Sequence, residues 1–317
     1  MKKKNLQKRK NKSVARKKKQ FRLKDLFLVL CVLIFLYAGF VFFQRTQKYT
    51  HAFSLKSTEL SSITGTSLLV STPTSTPSVT LTPNPTASPT PVVPSGFCLT
   101  VPVLMYHHVE PMQTAKAAGH AQLTVDVDYF EQHMKYLNDH GYTSYFAQDL
   151  ADALINHQSL PGKPVVVTID DGYDDFFSYG YPIVKKYNIK TSLFISTGLL
   201  QVSGYMNWDN IKDMEGSGFV SSYNHTWSHY SLGKSDRAKA EQEIITAKMQ
   251  LEARLGKADN IFAYPYGNSS QTAADVLQKN GFKAAFTTLP SFYQCDSYLM
   301  YLRRNRIGNA PLSSFGI

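Results

Sequence analysis

The run Val165-Val166-Val167-Thr168-Ile169-Asp170-Asp171-Gly172-Tyr173 restricts this chain more than any other stretch of it. Residues Val165 to Ile169 are all apolar or β-branched and read as a strand buried on both faces. Two adjacent carboxylates follow at once, and then a glycine that lets the backbone turn. A buried strand ending in paired acids is unfavourable for stability, because like charges at one site oppose each other's ionisation. Something must compensate, and a bound cation is the usual candidate. In α/β barrels, side chains at the carboxyl ends of strands are where the chemistry sits. The plainer alternative is an Asp-Asp-Gly turn that caps the next helix.

Charge divides the chain sharply. The first 25 residues hold 13 Lys or Arg and a single acid, Asp25, while the whole chain has a net charge of +11, so everything after residue 25 is close to neutral. The basic character belongs to a tail, and a nucleic-acid-binding domain is not implied. Leu26 to Phe43 carries no charge over 18 residues, long enough as a helix to match a ~30 Å hydrocarbon core. The basic excess before it places the N-terminus in the cytoplasm and the bulk of the chain outside, at a cell membrane crossed once. A cleaved signal peptide is the alternative, although no small-residue cleavage pattern follows. Residues 71–96 contain seven Pro, seven Thr and five Ser, and no Lys, Arg, Asp or Glu occurs between Glu59 and Glu110. Such a segment buries no core and reads as a disordered, extended spacer. The expected organisation is a basic tail (1–25), a transmembrane helix (26–43), a Thr/Pro/Ser-rich linker (44–96) and a folded domain (97–317).

That domain is long enough for one sizeable core. Strand patterns at Val101–Met105, Thr143–Phe146, Val165–Ile169, Thr191–Ile195, Phe219–Tyr223, Ile261–Tyr264 and Lys283–Thr287 alternate with helical ones. Among the helices are Tyr129–His140 and Ser235–Leu255, the latter opened by Ser235 as N-cap and closed by Gly256. Repeated strand–helix units imply an α/β fold with a parallel sheet, closed or nearly closed into a barrel.

The predicted strand ends carry reactive side chains. Tyr106, His107 and His108 follow the first strand, Asp170 and Asp171 the third, and Asn224 to His229 the fifth. His225 and His229 are four apart, a spacing that lets two imidazoles face one ion, and two His with one carboxylate suit Zn²⁺ and related divalent metals. A lone pair at that spacing is common on surfaces; its conjunction with Asp170-Asp171 is what gives it weight.

Thr168-Ile169-Asp170-Asp171-Gly172, His225-Thr226-Trp227-Ser228-His229 and Tyr264-Pro265-Tyr266-Gly267 resemble three ordered motifs of the polysaccharide deacetylase family, carbohydrate esterase family four. The opening Val103-Leu104-Met105-Tyr106-His107-His108-Val109 further resembles the branch that contains poly-N-acetylglucosamine deacetylases. The resemblance spans about residues 100 to 308 and implies a distorted (β/α) barrel that removes acetyl groups from N-acetylglucosamine residues. It implies Asp171, His225 and His229 as ligands of a divalent metal, Zn²⁺ first, with Co²⁺, Mn²⁺ or Ni²⁺ as alternatives. It implies Asp170 as catalytic base, the Tyr266 backbone N–H as an oxyanion donor and His107 as general acid, with His108 only packing or hydrogen-bonding.

Three departures accompany it. Many members carry Arg where this chain has Ala263, and Arg304 or Arg306 near the last predicted strand is either a substitute for it or a surface charge. Tyr223-Asn224 replaces a Gly-Ser step before the first metal histidine, which is expected to narrow the site. A late Leu-x-His motif is absent, since His229 is the last histidine, and this leaves the acid role to His107. Trp208 and Trp227 are either sugar-stacking or core residues. Cys98 and Cys295 sit near the two ends of the domain, so a bridge is open to them outside the membrane. Two functions compete: a metal-dependent N-deacetylase acting on a cell-surface or cell-wall polysaccharide, and a non-catalytic glycan-binding protein on the same fold.

Overall fold

A computed structural model describes residues 96–317. The expected membrane helix Leu26–Phe43 and the linker before residue 96 lie outside the described residues; among those described, no helix is long and apolar enough to cross a membrane.

The sheet is parallel throughout. β2 (Val103–Tyr106), β6 (Lys163–Asp171), β7 (Thr191–Ile195), β8 (Val220–Asn224), β9 (Ile261–Ala263) and β10 (Ala284–Phe286) are neighbours in that order, and β5 (Tyr142–Tyr145) pairs with the first half of β6. At the other edge β12 (Asn305–Arg306) pairs with β2. Just upstream of it Leu302 bridges to Phe286 of β10, so the segment 302–306 links the two ends of the sheet. The architecture is a parallel half-barrel with helices packed outside, consistent with the expected distorted barrel. The predicted strands all form, displaced by one or two residues at their ends, where flanking residues settle between ladder and turn.

Alternation along β6 sorts its side chains. Val165, Val167 and Ile169 pack with Phe130, Met134 and Leu137 from the helix Val127–Asp139 and with Val184 from Tyr181–Lys186. Val166 points to the other face, among Val103, Phe194, Ala263, Phe286 and Leu302 from five other strand segments. Period 2 therefore places Thr168 and Asp170 on that inner face as well. The run is apolar on both sides because a parallel sheet is covered on both sides.

The long helix runs Arg237–Leu255, with Asp236 rather than Ser235 as N-cap. The Asp236 carboxylate accepts from the Lys239 N–H, while the Ser235 hydroxyl donates backward to the Leu232 carbonyl and is thereby committed to the preceding loop. Gly256 closes the helix at φ 68°, as expected. Trp208 is a core residue, packed at the first turn of Trp208–Gly216 beneath the Arg254 guanidinium.

β1 (Cys98–Thr100) and β11 (Tyr293–Cys295) form a small antiparallel pair in which Cys98 and Cys295 face each other and are joined as a disulfide. Thiol titration of the unfolded, unreduced chain should find one free thiol, Cys31, and three after reduction. Reduction should also lower the midpoint of thermal unfolding, since loss of a native bridge costs about 2–5 kcal/mol.

Candidate metal centre and base

Asp171 ends β6 at φ 75°, and Gly172 follows at φ 90°, turning the chain away from the sheet. His225 directly follows β8, and His229 lies in the loop beyond it. Their Nε2 atoms stand 3.3 Å and 3.1 Å from Asp171 Oδ1. That oxygen is buried and makes no well-formed hydrogen bond, although two nitrogens face it. Three ligand atoms within 4.8 Å of one another around an unsatisfied carboxylate oxygen fit a divalent cation better than a hydrogen-bonded cluster. The His225 Nδ1 lies 2.7 Å from the Ala263 carbonyl, which can only accept, so Nδ1 carries the proton and Nε2 keeps its lone pair for the ion.

The loop holding these histidines is strained and heavily tied. Of seven non-glycine residues with positive φ among those described, four are Asp171, Thr226, His229 and Tyr266. Thr226, β-branched at φ 67°, is the costliest. Its N–H donates to Asn224 Oδ1, its Oγ1 accepts from the Tyr230 N–H, and its carbonyl accepts from the Thr197 N–H. Glu243, fully buried on the long helix, accepts from both the N–H and the hydroxyl of Ser228, and its own carbonyl accepts from the Trp227 N–H. The sequence carries a signal for Glu243: a carboxylate on the same helix face as Ala240, Ala247 and Leu251, which are all buried. The Asn224 amide donates to Asp259 and to the Ile244 carbonyl, which draws that side chain behind the strand and away from the centre, while the Tyr223 ring packs on Phe194 in the inner core.

Asp170 faces the barrel interior and meets Arg304, which is fully buried. Nη1 and Nη2 donate to Oδ1 and Oδ2 at 2.6 Å and 2.7 Å, Nε donates to the Thr287 carbonyl, and Nη1 also reaches Thr168 Oγ1. Arg304 thus supplies the cation expected at Ala263, entering from the closing segment, while Arg306 donates to the Gln122 carbonyl at the surface. Burial alone would raise the Asp170 pKa, but the charges of Arg304 and His225 overcome it and hold the carboxyl below its ordinary range. For Asp171 burial is likewise outweighed, here by the facing imidazoles of His225 and His229, and its pKa falls well below the usual value.

His107 follows β2 and lies in the electrostatic reach of both aspartates; burial lowers its pKa, and the two carboxylates act against that. His108 points elsewhere, to Asp175. Tyr266 has φ 59°, and Gly267 after it has φ 70°; a Cβ on Gly267 would come within 2.1 Å of Thr288 Oγ1, so only glycine fits there. The Gly267 and Asn268 N–H groups donate back to the Tyr264 and Pro265 carbonyls, and the Tyr266 N–H takes part in neither bond. The Tyr266 ring is 63% exposed and leans over His229 at 4.6 Å between centroids.

Residues 157–285 match the family model described as polysaccharide deacetylase. The chain is 27% identical over 207 residues to YxkH of Bacillus subtilis (strain 168), named for the same family, an alignment covering 65% of this chain and 71% of that one. It is 29% identical over 141 residues to the poly-β-1,6-N-acetyl-D-glucosamine N-deacetylase of Staphylococcus aureus (strain MRSA252), covering 40% of this chain and 49%, about half, of that relative. The structure of the Streptococcus pyogenes deacetylase PplD in complex with acetate superposes with TM-score 0.64 at 27% identity, over 71% of this chain and 98% of that one. IcaB from Ammonifex degensii gives TM-score 0.58 at 26% identity, over 68% and 93%.

Two predictions follow from this geometry. His225→Ala should lower the bound divalent metal by one ion per chain in equilibrium dialysis; undiminished binding would place the ion elsewhere. The second concerns Asp259, the buried partner of Asn224, whose carboxyl is pushed up to about 7 by burial despite the Asn224 hydrogen bond. The folded chain then keeps a proton that the unfolded chain releases above about pH 4, so the stability this group supports is full below that pH and is lost as pH rises through about 7. Asp259→Asn removes that titration. Its thermal midpoint relative to the parent should rise between about pH 5 and about pH 8, by an equivalent of up to roughly 3 kcal/mol. An equal difference at both pH values would contradict the assignment.

Proposed function

Since the chain carries a polysaccharide deacetylase domain, we propose that it hydrolyses N-acetyl groups from N-acetylglucosamine residues of a cell-surface or cell-wall polysaccharide, with a divalent metal, Zn²⁺ first, held by Asp171, His225 and His229. The observation that carries this reading is the buried Asp170–Arg304 pair beside an Asp-His-His donor set. A glycan-holding module needs no ionised carboxylate kept ready next to its metal; a hydrolase does.

A divalent ion bound there supplies Lewis acidity toward water and toward a carbonyl oxygen. Asp170, kept ionised by Arg304, accepts the proton of the attacking water. The Tyr266 N–H donates to the oxygen of the tetrahedral intermediate, a contribution of about 3 kcal/mol for one such donor. An amine leaves poorly unless protonated, and His107 delivers that proton. The products are acetate and a glucosamine residue.

Location belongs to the same proposal. The Cys98–Cys295 bridge suits an oxidising compartment, and it supports a domain held outside the cell membrane by Leu26–Phe43 and the Pro/Thr linker, with the tail inside. Partial N-acetyl hydrolysis of a β-1,6-linked polymer and of peptidoglycan are the two substrates to compare, the first favoured by the similarity to the Staphylococcus aureus enzyme.

Acetate release from either polymer should vanish with chelator and return with Zn²⁺. Asp170→Asn should keep the metal and lose about 10²-fold or more in turnover. His107→Ala should lose the alkaline limb of the pH–rate profile. No acetate from any N-acetylglucosamine polymer, with metal bound, would leave the glycan-binding alternative standing.

A further inference from the structure

A second group of metal-ligating side chains lies in the excursion between β2 and the helix Val127–Asp139, and none of them enters the chemistry above. His108 is on β3 (His108–Val109), Glu110 follows it, and His120 lies beyond the short helix Met112–Ala118, just before β4 (Thr124–Val125). Each presents one ligand atom, and the three atoms lie within 4.8 Å of one another, the same convergence seen at Asp171.

The surroundings are those of a built site. His108 and Glu110 are buried. Asp175 Oδ2 lies 2.5 Å from His108 Nδ1, and its other oxygen accepts from the Val109 N–H. A carboxylate on Nδ1 fixes the tautomer and leaves Nε2 with the lone pair, the usual arrangement behind a metal-bound histidine. Tyr173 stacks on His108 at 3.6 Å between centroids and holds its ring, while His120 stacks parallel on the other face at 4.0 Å and must turn out of that stack for one ion to lie in the plane of both imidazoles. His120 Nε2 meets Glu110 Oε1 directly. His120 has a side chain 29% exposed and is the member that turns toward an incoming ion.

Charge argues in the same direction. Glu110 and Asp175 are two carboxylates with little solvent, and their partners here are imidazoles and a backbone N–H. Among the described residues neither carboxylate pairs with a Lys or Arg, and one divalent ion offsets the cost of burying them. Two nitrogens and one carboxylate oxygen are a donor set for Zn²⁺-like ions, not for Ca²⁺ or Mg²⁺, which demand more oxygens.

We propose that His108, Glu110 and His120 form a second divalent-cation site, with Asp175 orienting His108. Its role is structural. The ion ties β3 to the turn that leads into Ala121–Thr124, and those residues wall a cavity of about 280 Å³ whose other side includes His107 and Arg306. The second ion therefore sets the shape of the opening beside His107 and needs no part in proton transfer. The proposal stands apart from the deacetylase reading, because it rests on residues that reading does not use.

The test is metal stoichiometry. The untagged full chain, stripped with chelator, is dialysed to equilibrium against Zn²⁺ and its metal content measured. The parent should hold two ions per chain, His225→Ala one, Glu110→Gln one, His120→Ala one, and the double variant His225→Ala/His120→Ala none. One ion in the parent, lost in His225→Ala and kept in His120→Ala, overturns the second site and leaves the first intact. Two ions retained in both Glu110→Gln and His120→Ala would overturn it as well. A readout that depends on no substitution in the cluster comes from proteolysis of the His225→Ala chain: Zn²⁺ should slow cleavage within residues 111–123 several-fold. Equal cleavage with and without Zn²⁺ counts against the site.

Discussion

The ion pair between Asp170 and Arg304 is the interaction on which the rest of the barrel interior depends. A carboxylate and a guanidinium sealed from water are weak evidence of stability, because their desolvation offsets their attraction. Here both carboxylate oxygens accept a guanidinium N–H, and the guanidinium is held further by the Thr287 carbonyl and Thr168 Oγ1. Removing either one would strand the other, at a cost of about 3–5 kcal/mol. The arrangement is better explained by what it does to Asp170, which it keeps charged and aimed at the strand ends. Stability was already available from Val165, Val167 and Ile169 on the opposite face.

Backbone strain is concentrated beside that pair. Asp171, Thr226, His229 and Tyr266 all hold left-handed conformations, each costing on the order of 1–3 kcal/mol. Such residues persist only where their surroundings over-determine them. Asn224, Glu243 and the Thr197 N–H do this for the histidine loop, through bonds that begin on a neighbouring strand or on the long helix. The arrangement of His225 and His229 is thus held by polar contacts behind it.

The parallel sheet and the two separated clusters at its strand ends were legible in sequence, since hydrophobic runs and His or Asp spacing are local signals. The boundary at Asp236 was missed because Ser235 is an equally good N-cap by type, and only the loop before it decides between them. Asn224 misled for a related reason: its replacement of a smaller residue was visible, but the helix that draws its side chain away is 20 residues downstream. Arg304 could be named as one of two substitutes for the missing arginine, and no more. Choosing between Arg304 and Arg306 needs the path of the closing segment: period 2 alone would give them one face, yet Arg304 precedes β12 and turns inward while Arg306, within β12, reaches the surface. The His108–Glu110–His120 group had no readable spacing at all, because a helix lies between its members.

Register in that closing segment is itself held from outside the main sheet. Gln294, buried beside Cys295, donates through its amide to the Arg303 and Val101 carbonyls and accepts from the Arg303 N–H. Arg303 precedes the residue that carries the guanidinium. Cys295 is in turn bonded to Cys98, two residues past the first described one, and β1 pairs with β11 along the same line. One continuous brace therefore runs from the disulfide through Gln294 and the Arg303 backbone to Arg304 and Asp170. A one-residue slip of residues 302–306 would turn Arg304 out of the barrel and leave Asp170 without its cation. The bridge closes a sequence separation of 197 residues, so it acts on the unfolded chain as well. Its position makes it more than a staple, because it anchors the segment whose Arg304 sets the charge of Asp170.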